Sequence, residues 1–424
     1  MKSSSVAYRN YALAILAVIL AFNTMDRLAL GLLLQSIKLD LRLSDTQLGF
    51  LTGIAFALFY SAMGIPIARW ADRGNRVTII WLTTAMWSVF VALCGLAGSY
   101  RQLLAIRVGV AIGEAGCVPP AHSLIADYFD RAERPRAVAR YMLGGSLATV
   151  VGYFAGGLLN ETYGWRDTFL ILGLPGLALA LLVRITLREP RLEEKIAAER
   201  RDHPRIAAVC RTLWQSRTFR HLLICFSLLS FFGFGIGNWQ PAFFVRSFGL
   251  STRELGTWMA LIWGIGGSLG TYCGGVLAAR YAANDERLQL LATVCLYLTF
   301  GLISALGYLS HHLYLSFAML GTAAIGANMA AGPMLAMIQT LVAPRMRAMA
   351  IALVYLSANL FGMGLGPLAV GALSDSLRSW GGEESLRYAL LAMCPGYWWA
   401  AWHLWRASRS VTRDVESVQV HAKY

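Results

Sequence analysis

The sequence predicts an all-α membrane protein: twelve transmembrane helices in two pseudo-symmetric six-helix bundles. Three observations carry this. Of the 424 residues, 57% are hydrophobic and only 14% charged, whereas soluble domains carry about 25% charged residues. Apolar stretches of about 18 residues or more, long enough to cross a hydrocarbon core, recur twelve times between charged or Pro/Gly punctuation. The longest connection, 188–218, divides them six and six.

In chain order the spans fall near 11–35, 46–69, 77–98, 103–128, 137–160, 167–187, 219–246, 253–281, 288–309, 313–342, 348–375 and 386–406. Several exceed a perpendicular crossing, so tilt is expected. The division is therefore an N-terminal bundle over 1–187, a charged linker over 188–218, a C-terminal bundle over 219–406 and a tail over 407–424. The linker spaces Leu192, Ile196, Ile206, Val209 and Leu213 at roughly helical intervals among its charges. That pattern fits a short amphipathic helix at the inner surface, or a solvated tether. Trp398, Trp399, Trp402 and Trp405 in the last span fit an aromatic anchor at the membrane interface.

A net charge of +14 raises the question of nucleic acid. The basic residues lie in alternate loops, however, and form no continuous face. With a cytoplasmic N-terminus, 27 of the 37 Lys and Arg fall in inner segments, so both termini are expected in the cytoplasm of a multi-pass protein. In a bacterium that membrane is the inner one. The seven cysteines are scattered, without CxxC spacing or His partners, so neither a disulfide framework nor a zinc site is expected. The first apolar run is too long for a signal-peptide core and lacks a cleavage site, so it is retained as span one.

The chemistry sits where apolar helices carry charge. Asn23-Thr24-Met25-Asp26-Arg27 places an acid and a base inside span one. Each costs roughly 2.5 to 3.5 kcal/mol at bilayer depth on the mildest scale, so such residues mark a function. In span four, Arg107 and Glu114 are seven residues apart and project from one face. Counting 1.5 Å per residue puts Asp26 about 8 Å and Arg107 about 6 Å below the same outer edge of the core. A charge cluster linking the two spans is geometrically possible. In the second half, Trp239 and Gln240 of span seven, with Asn328 and Asn359, are candidates for lining a cavity or for hydrogen bonds between helices. Gly runs such as Gly144-Gly145 and Gly156-Gly157 follow no strand and read as helix packing, and His122 alone is weak evidence.

Two six-helix halves joined by a charged linker resemble the major facilitator superfamily, and Gly64-Ile-Pro-Ile-Ala-Arg-Trp-Ala-Asp-Arg-Gly-Asn-Arg76 resembles its loop signature. The resemblance implies an inner-gate latch built on Asp72, Arg73 and Arg76. The equivalent point in the second half, Gly275 to Arg280, lacks the acid. Asn23 to Arg27, Leu34 to Asp40, Leu43 to Gly49, Asp72 to Arg76, Gly113-Glu-Ala115 with Asp127, and Gly362 to Pro367 together resemble the Spinster family of lysolipid transporters and its bacterial relatives. Span five lacks the Gly-Pro pair that marks drug-proton antiporters, since Tyr153 follows Gly152.

The resemblance implies alternating-access transport of an anionic lysolipid or sphingosine-phosphate type amphiphile, coupled to protons, by a monomer without cofactor, metal or nucleic acid. Asp26 and Glu114 become proton-coupling or gating groups. Arg27 and Arg107 become their partners or contacts for an anionic head group, beside Asn23. A carrier of small organic anions or drugs, and a transport-inactive sensor or scaffold, are the alternatives. An enzyme is not expected, because no nucleophile, metal or nucleotide constellation appears.

Overall fold

The computed structural model describes residues 5–130, 132–190, 206–282, 285–342 and 346–421. All regular elements among them are helical. Ten stretches are long and apolar enough to cross a membrane. Two of these are double. Arg134–Thr186 has 53 residues, about 80 Å of helix at 1.5 Å per residue, against a core of about 30 Å. It breaks at Gly164, whose φ of 80° only glycine adopts without strain. Met349–Ser408 has 60 residues and turns at Gly382, also at positive φ. Divided at these two glycines, the ten stretches give twelve apolar helical segments among the described residues.

The chain forms two compact units. The first comprises Met1–Arg201 with Gly249–Ala260, the second Asp202–Phe248 with Leu261–Tyr424. Within the first unit lie α1 (Val6–Leu41), α2 (Asp45–Thr52), α3 (Ile54–Arg73), α4 (Arg76–Cys94), α5 (Tyr100–Glu114), α6 (Val118–Tyr128) and α7 (Arg134–Thr186). Local chemistry sets the boundaries. Ser5, Asn75 and Ser99 accept from backbone amides as N-caps of α1, α4 and α5. Ser44 and Gln47 close a reciprocal box at α2. Lys38 Nζ meets Asp45 Oδ1 at 2.5 Å and ties α1 to α2 across their turn.

Span four breaks after Glu114 for a covalent reason. Pro119 and Pro120, at the start of α6, have no N–H to offer the carbonyls of Ala115 and Gly116 four residues back, and their rings crowd that turn. Gly113 then lets α5 approach α4. A Cβ there would stand 2.7 Å from the Trp87 amide nitrogen. Gly144 of α7 does the same for α1, at 2.2 Å from the Ala17 carbonyl oxygen.

The second unit holds α8 (Ile206–Gln215), α9 (Arg217–Phe248), α11 (Gly267–Tyr281), α12 (Glu286–Leu309), α13 (Leu313–Met329), α14 (Ala331–Thr340), α15 (Arg347–Ser357), α16 (Gly366–Gly381), α17 (Ser385–Met393), α18 (Pro395–Ser408) and α19 (Val411–His421), while α10 (Thr252–Met259) belongs to the first. π-helical turns at Ala260–Gly266 and Ala358–Leu365 precede α11 and α16. Spacing along the chain puts α10 in the second bundle. It groups with the first because Gly157 and Gly256 let it approach α7, and Asn160 Nδ2 donates to both Ser36 Oγ, at 3.1 Å, and Thr252 Oγ1, at 3.0 Å. A short helix in the linker is present as α8, with Leu213 buried and Trp214 exposed. Leu192, Ile196 and the side chains of Ile206 and Val209 lie outside the described residues.

Candidate functional site

α1 and α5 bring the four intramembrane charges together as two crossed pairs. Arg107 Nη1 donates to Asp26 Oδ2 at 2.7 Å, with both side chains 2% exposed. Arg27 Nε donates to Glu114 Oε2 at 2.6 Å, and here Glu114 is 0% and Arg27 31% exposed. Successive residues on a helix point about 100° apart, a consequence of 3.6 residues per turn. Asp26 therefore reaches one turn of α5 and Arg27 another, two turns farther along. Asn23 Oδ1 stands 3.5 Å from Arg27 Nη2.

Aromatic faces of α3 line the pairs. Phe56 and Tyr60 stack with ring centroids 5.6 Å apart. The Arg27 guanidinium lies 4.8 Å from each ring centre, and that of Arg107 5.4 Å from Phe56. Such contacts hold a guanidinium without neutralising it. Hydrogen bonding is incomplete. Among the described residues, Asp26 Oδ1, Glu114 Oε1, Arg107 Nε and Asn23 Nδ2 are buried without a partner. Together they offer two acceptors and two donors to a polar group. The cluster can exchange partners, take up a proton on a carboxylate, or present a guanidinium to an anion. Arg27, the one partly exposed member, is the group that can face a solute.

A second charged assembly sits at the start of α4. Arg76 is fully buried; it meets Asp127 Oδ2 at 2.7 Å and Ser123 Oγ at 2.8 Å, and its guanidinium and amide both bond Glu189. Tyr128 Oη donates to the Arg188 carbonyl, and the Arg188 amide donates to Tyr8 Oη at 2.7 Å. Of the expected latch, Arg76 is the hub, Arg73 is exposed, and the side chain of Asp72 lies outside the described residues. Glu189 escaped the sequence reading. Its only signal was an acid immediately after a span.

In the second unit Gln240 is 2% exposed and accepts from Trp263 Nε1 at 2.8 Å. Trp239 is fully buried and donates to the Pro367 carbonyl at 2.8 Å. Asn328 Nδ2 bonds the Ala324 carbonyl of its own helix at 2.8 Å, and Asn359 is half-buried in a π-helical turn. A cavity within this unit is lined by Gln240, Trp263, Tyr297, Ser304, Tyr308 and Tyr397, among others. No group of three metal-ligating side chains forms among the described residues.

Each unit also has a clasp that spacing did not disclose. In the first, Arg166 bonds Asp40 and donates to the Ala97 carbonyl at 3.0 Å. In the second, Arg387 bonds Glu384 and donates to the carbonyls of Tyr308 at 2.9 Å and Ser310 at 2.8 Å. Both arginines satisfy carbonyls where another helix ends.

Comparison with known proteins agrees with this architecture. The Major Facilitator Superfamily profile matches residues 16–367. An MFS-type efflux pump of Mycolicibacterium smegmatis is 34% identical over 95% of this chain and 94% of its own. Protein spinster homolog 1 of Xenopus tropicalis is 27% identical over 92% of this chain and 78% of its own. The crystal structure of a bacterial homologue of the human lysosomal transporter Spinster, 31% identical, superposes over 97% of this chain and 99% of its own with a TM-score of 0.86. These relatives are transporters and not enzymes. The chain belongs to the Major Facilitator Superfamily, as a Spinster-like multi-pass membrane transporter.

Proposed function

We propose that the protein is a secondary active transporter that moves an anionic, lysolipid-like amphiphile by alternating access, coupled to protons. The carrying observation is the crossed pair of ion pairs in the first unit, with Arg27 alone partly exposed. In this reading Arg27, whose Nε and Nη2 both meet Glu114 Oε2, exchanges that carboxylate for the solute's anionic head group. Freed of its counter-charge, buried Glu114 takes a proton, because an uncompensated buried carboxylate is costly. Asp26 and Arg107 hold the second charge balance. Arg76 with Asp127 and Glu189 serves as the inner latch, beside Asp72 and Arg73. Gln240, Asn328 and Asn359 supply neutral contacts from the second bundle, which spans 219–406; Trp263 fixes Gln240, and Trp239 ties its helix to the Pro367 carbonyl. Both termini are cytoplasmic and the unit of function is a monomer.

The 34% relative is an efflux pump, which favours a second reading: proton-linked carriage of small organic anions or drugs through the same charges. Proteoliposome uptake of labelled lysophospholipid, compared with short soluble organic anions, decides. Saturable lysolipid uptake driven by a pH gradient supports the first reading. Uptake of the short anions alone replaces it with the second. Binding without counterflow would remove transport from both.

A further inference from the structure

The outer surface of the second unit carries a second feature, unrelated to the charge cluster. Along α18 and just past its end, Trp398, Trp399, Trp402, Trp405, Arg406 and Arg409 recur at intervals of one, four, seven, eight and eleven residues, which places them on one helical face. All six are exposed, while Ala400, Ala401, Leu404 and Ala407 between them are buried. The face is graded, with indoles first and guanidiniums last. Arg409 lies 4.4 Å from the Trp405 ring centre and Arg406 5.5 Å from Trp402.

Among the described residues, the arginines at this end have no carboxylate partner. Arg220 on α9 and Arg406 both act on His221, which meets His403 Nδ1 to Nδ1 at 3.0 Å just beneath Trp402. None of the ion pairs among the described residues involves Arg220, Arg406 or Arg409. The carboxylate of Asp414 is engaged elsewhere, accepting from the Thr218 amide at 2.9 Å and Ser216 Oγ at 2.8 Å. Glu416 is exposed on α19.

We propose that this face is a binding site for an anionic phospholipid of the surrounding leaflet. Indole rings suit the region where acyl chains meet head groups, and guanidiniums suit the phosphate level. Three guanidiniums in no ion pair among the described residues match a head group bearing net negative charge, and a zwitterionic head group answers that charge less well. A second copy of this chain would bring the same cations face to face, which disfavours it as the occupant.

The test uses the full-length protein, titrated with phosphatidylglycerol or phosphatidylcholine in detergent and read by native mass spectrometry. A basic residue near an anionic surface contributes about 1 kcal/mol, about fivefold in affinity. Arg406→Gln with Arg409→Gln is expected to weaken phosphatidylglycerol binding by about 25-fold on that basis, leaving phosphatidylcholine binding unchanged. Arg406→Lys with Arg409→Lys restores most of it, and Arg287→Gln, an exposed arginine elsewhere in the same unit, changes it less than about twofold. The proposal is overturned if the glutamine variant binds phosphatidylglycerol like the parent, or if Arg287→Gln loses as much. It is also overturned if the parent is a dimer that the glutamine variant dissociates.

Discussion

Arg107 and Gln240 are both 2% exposed, yet their surroundings answer them differently. Arg107 meets a carboxylate at 2.7 Å; Gln240 meets an indole N–H at 2.8 Å. The first contact joins an acid and a base. The second involves no group that titrates in the physiological range. A buried polar group of either kind is costly unless paired, and each of these two side chains has a partner. The first unit supplies it here through charged pairs, the second around Gln240 through neutral groups. In the proposed mechanism the division of labour is asymmetric: the first unit carries the proton exchange, and the second supplies neutral contacts.

The largest expected effect breaks the charged side of this comparison. Asp26→Ala leaves Arg107 as an unpaired buried charge, a loss of about 3 to 5 kcal/mol, readable as a fall in the thermal midpoint of the detergent-solubilised protein. Asp26→Ala with Arg107→Leu removes both charges and should recover most of that stability. The double variant still loses coupling if the charges serve transport.

The two clasps sharpen the comparison next, because here the units use the same device at different depths. Arg387 is 4% exposed and Arg166 39%. Arg387→Gln should cost about 2 to 3 kcal/mol, as expected for buried charge-assisted hydrogen bonds. Arg166→Gln should cost about 1 kcal/mol or less, as exposed pairs do. Equal losses would mean that burial does not separate the two. On the neutral side, Gln240→Leu strands the Trp263 indole N–H and should cost about 1 to 2 kcal/mol, with no change in the pH profile of transport.

How much of this was legible in the sequence follows from what one-dimensional spacing can encode. Depth counting matched Asp26 with Arg107, because axial rise accumulates regularly along a helix. It left Arg27 and Glu114 without assigned partners, since the azimuth that decides pairing depends on how α1 and α5 rotate against each other. The break after Glu114 was written in Pro119-Pro120, yet read only as part of a span. Glu189 and Arg387 act on residues 113 and 77 to 79 positions away, and no local pattern encodes such separations. The grouping of α10 with the first unit was equally hidden. It rests on close approach at Gly157 and Gly256, where the sequence shows only two more glycines.

The smallest predicted effect lies outside the membrane. Burial works against the Asp414 charge, but hydrogen bonds from the Thr218 amide and from the Ser216 and Thr218 hydroxyls, with Arg413 nearby, hold its carboxyl below the ordinary carboxylate range. A carboxylate with a lowered folded-state value stabilises above its unfolded value, about pH 3.9, and that contribution disappears as pH falls through the folded value. Asp414→Asn should therefore cost about 0.5 to 1 kcal/mol near neutrality. Thermal midpoints of parent and variant should converge below about pH 4. A gap that persists there would assign the effect to packing of α19.

The central claim is that the first unit's ion pairs carry proton coupling. It is tested most directly by pH-gradient-driven accumulation of labelled lysophospholipid in proteoliposomes holding either the parent protein or Glu114→Gln. The account predicts that the parent accumulates lipid against its gradient, whereas the variant still binds and exchanges it but no longer accumulates it, at any pH. Accumulation by Glu114→Gln with the parent's rate and pH profile would contradict the account.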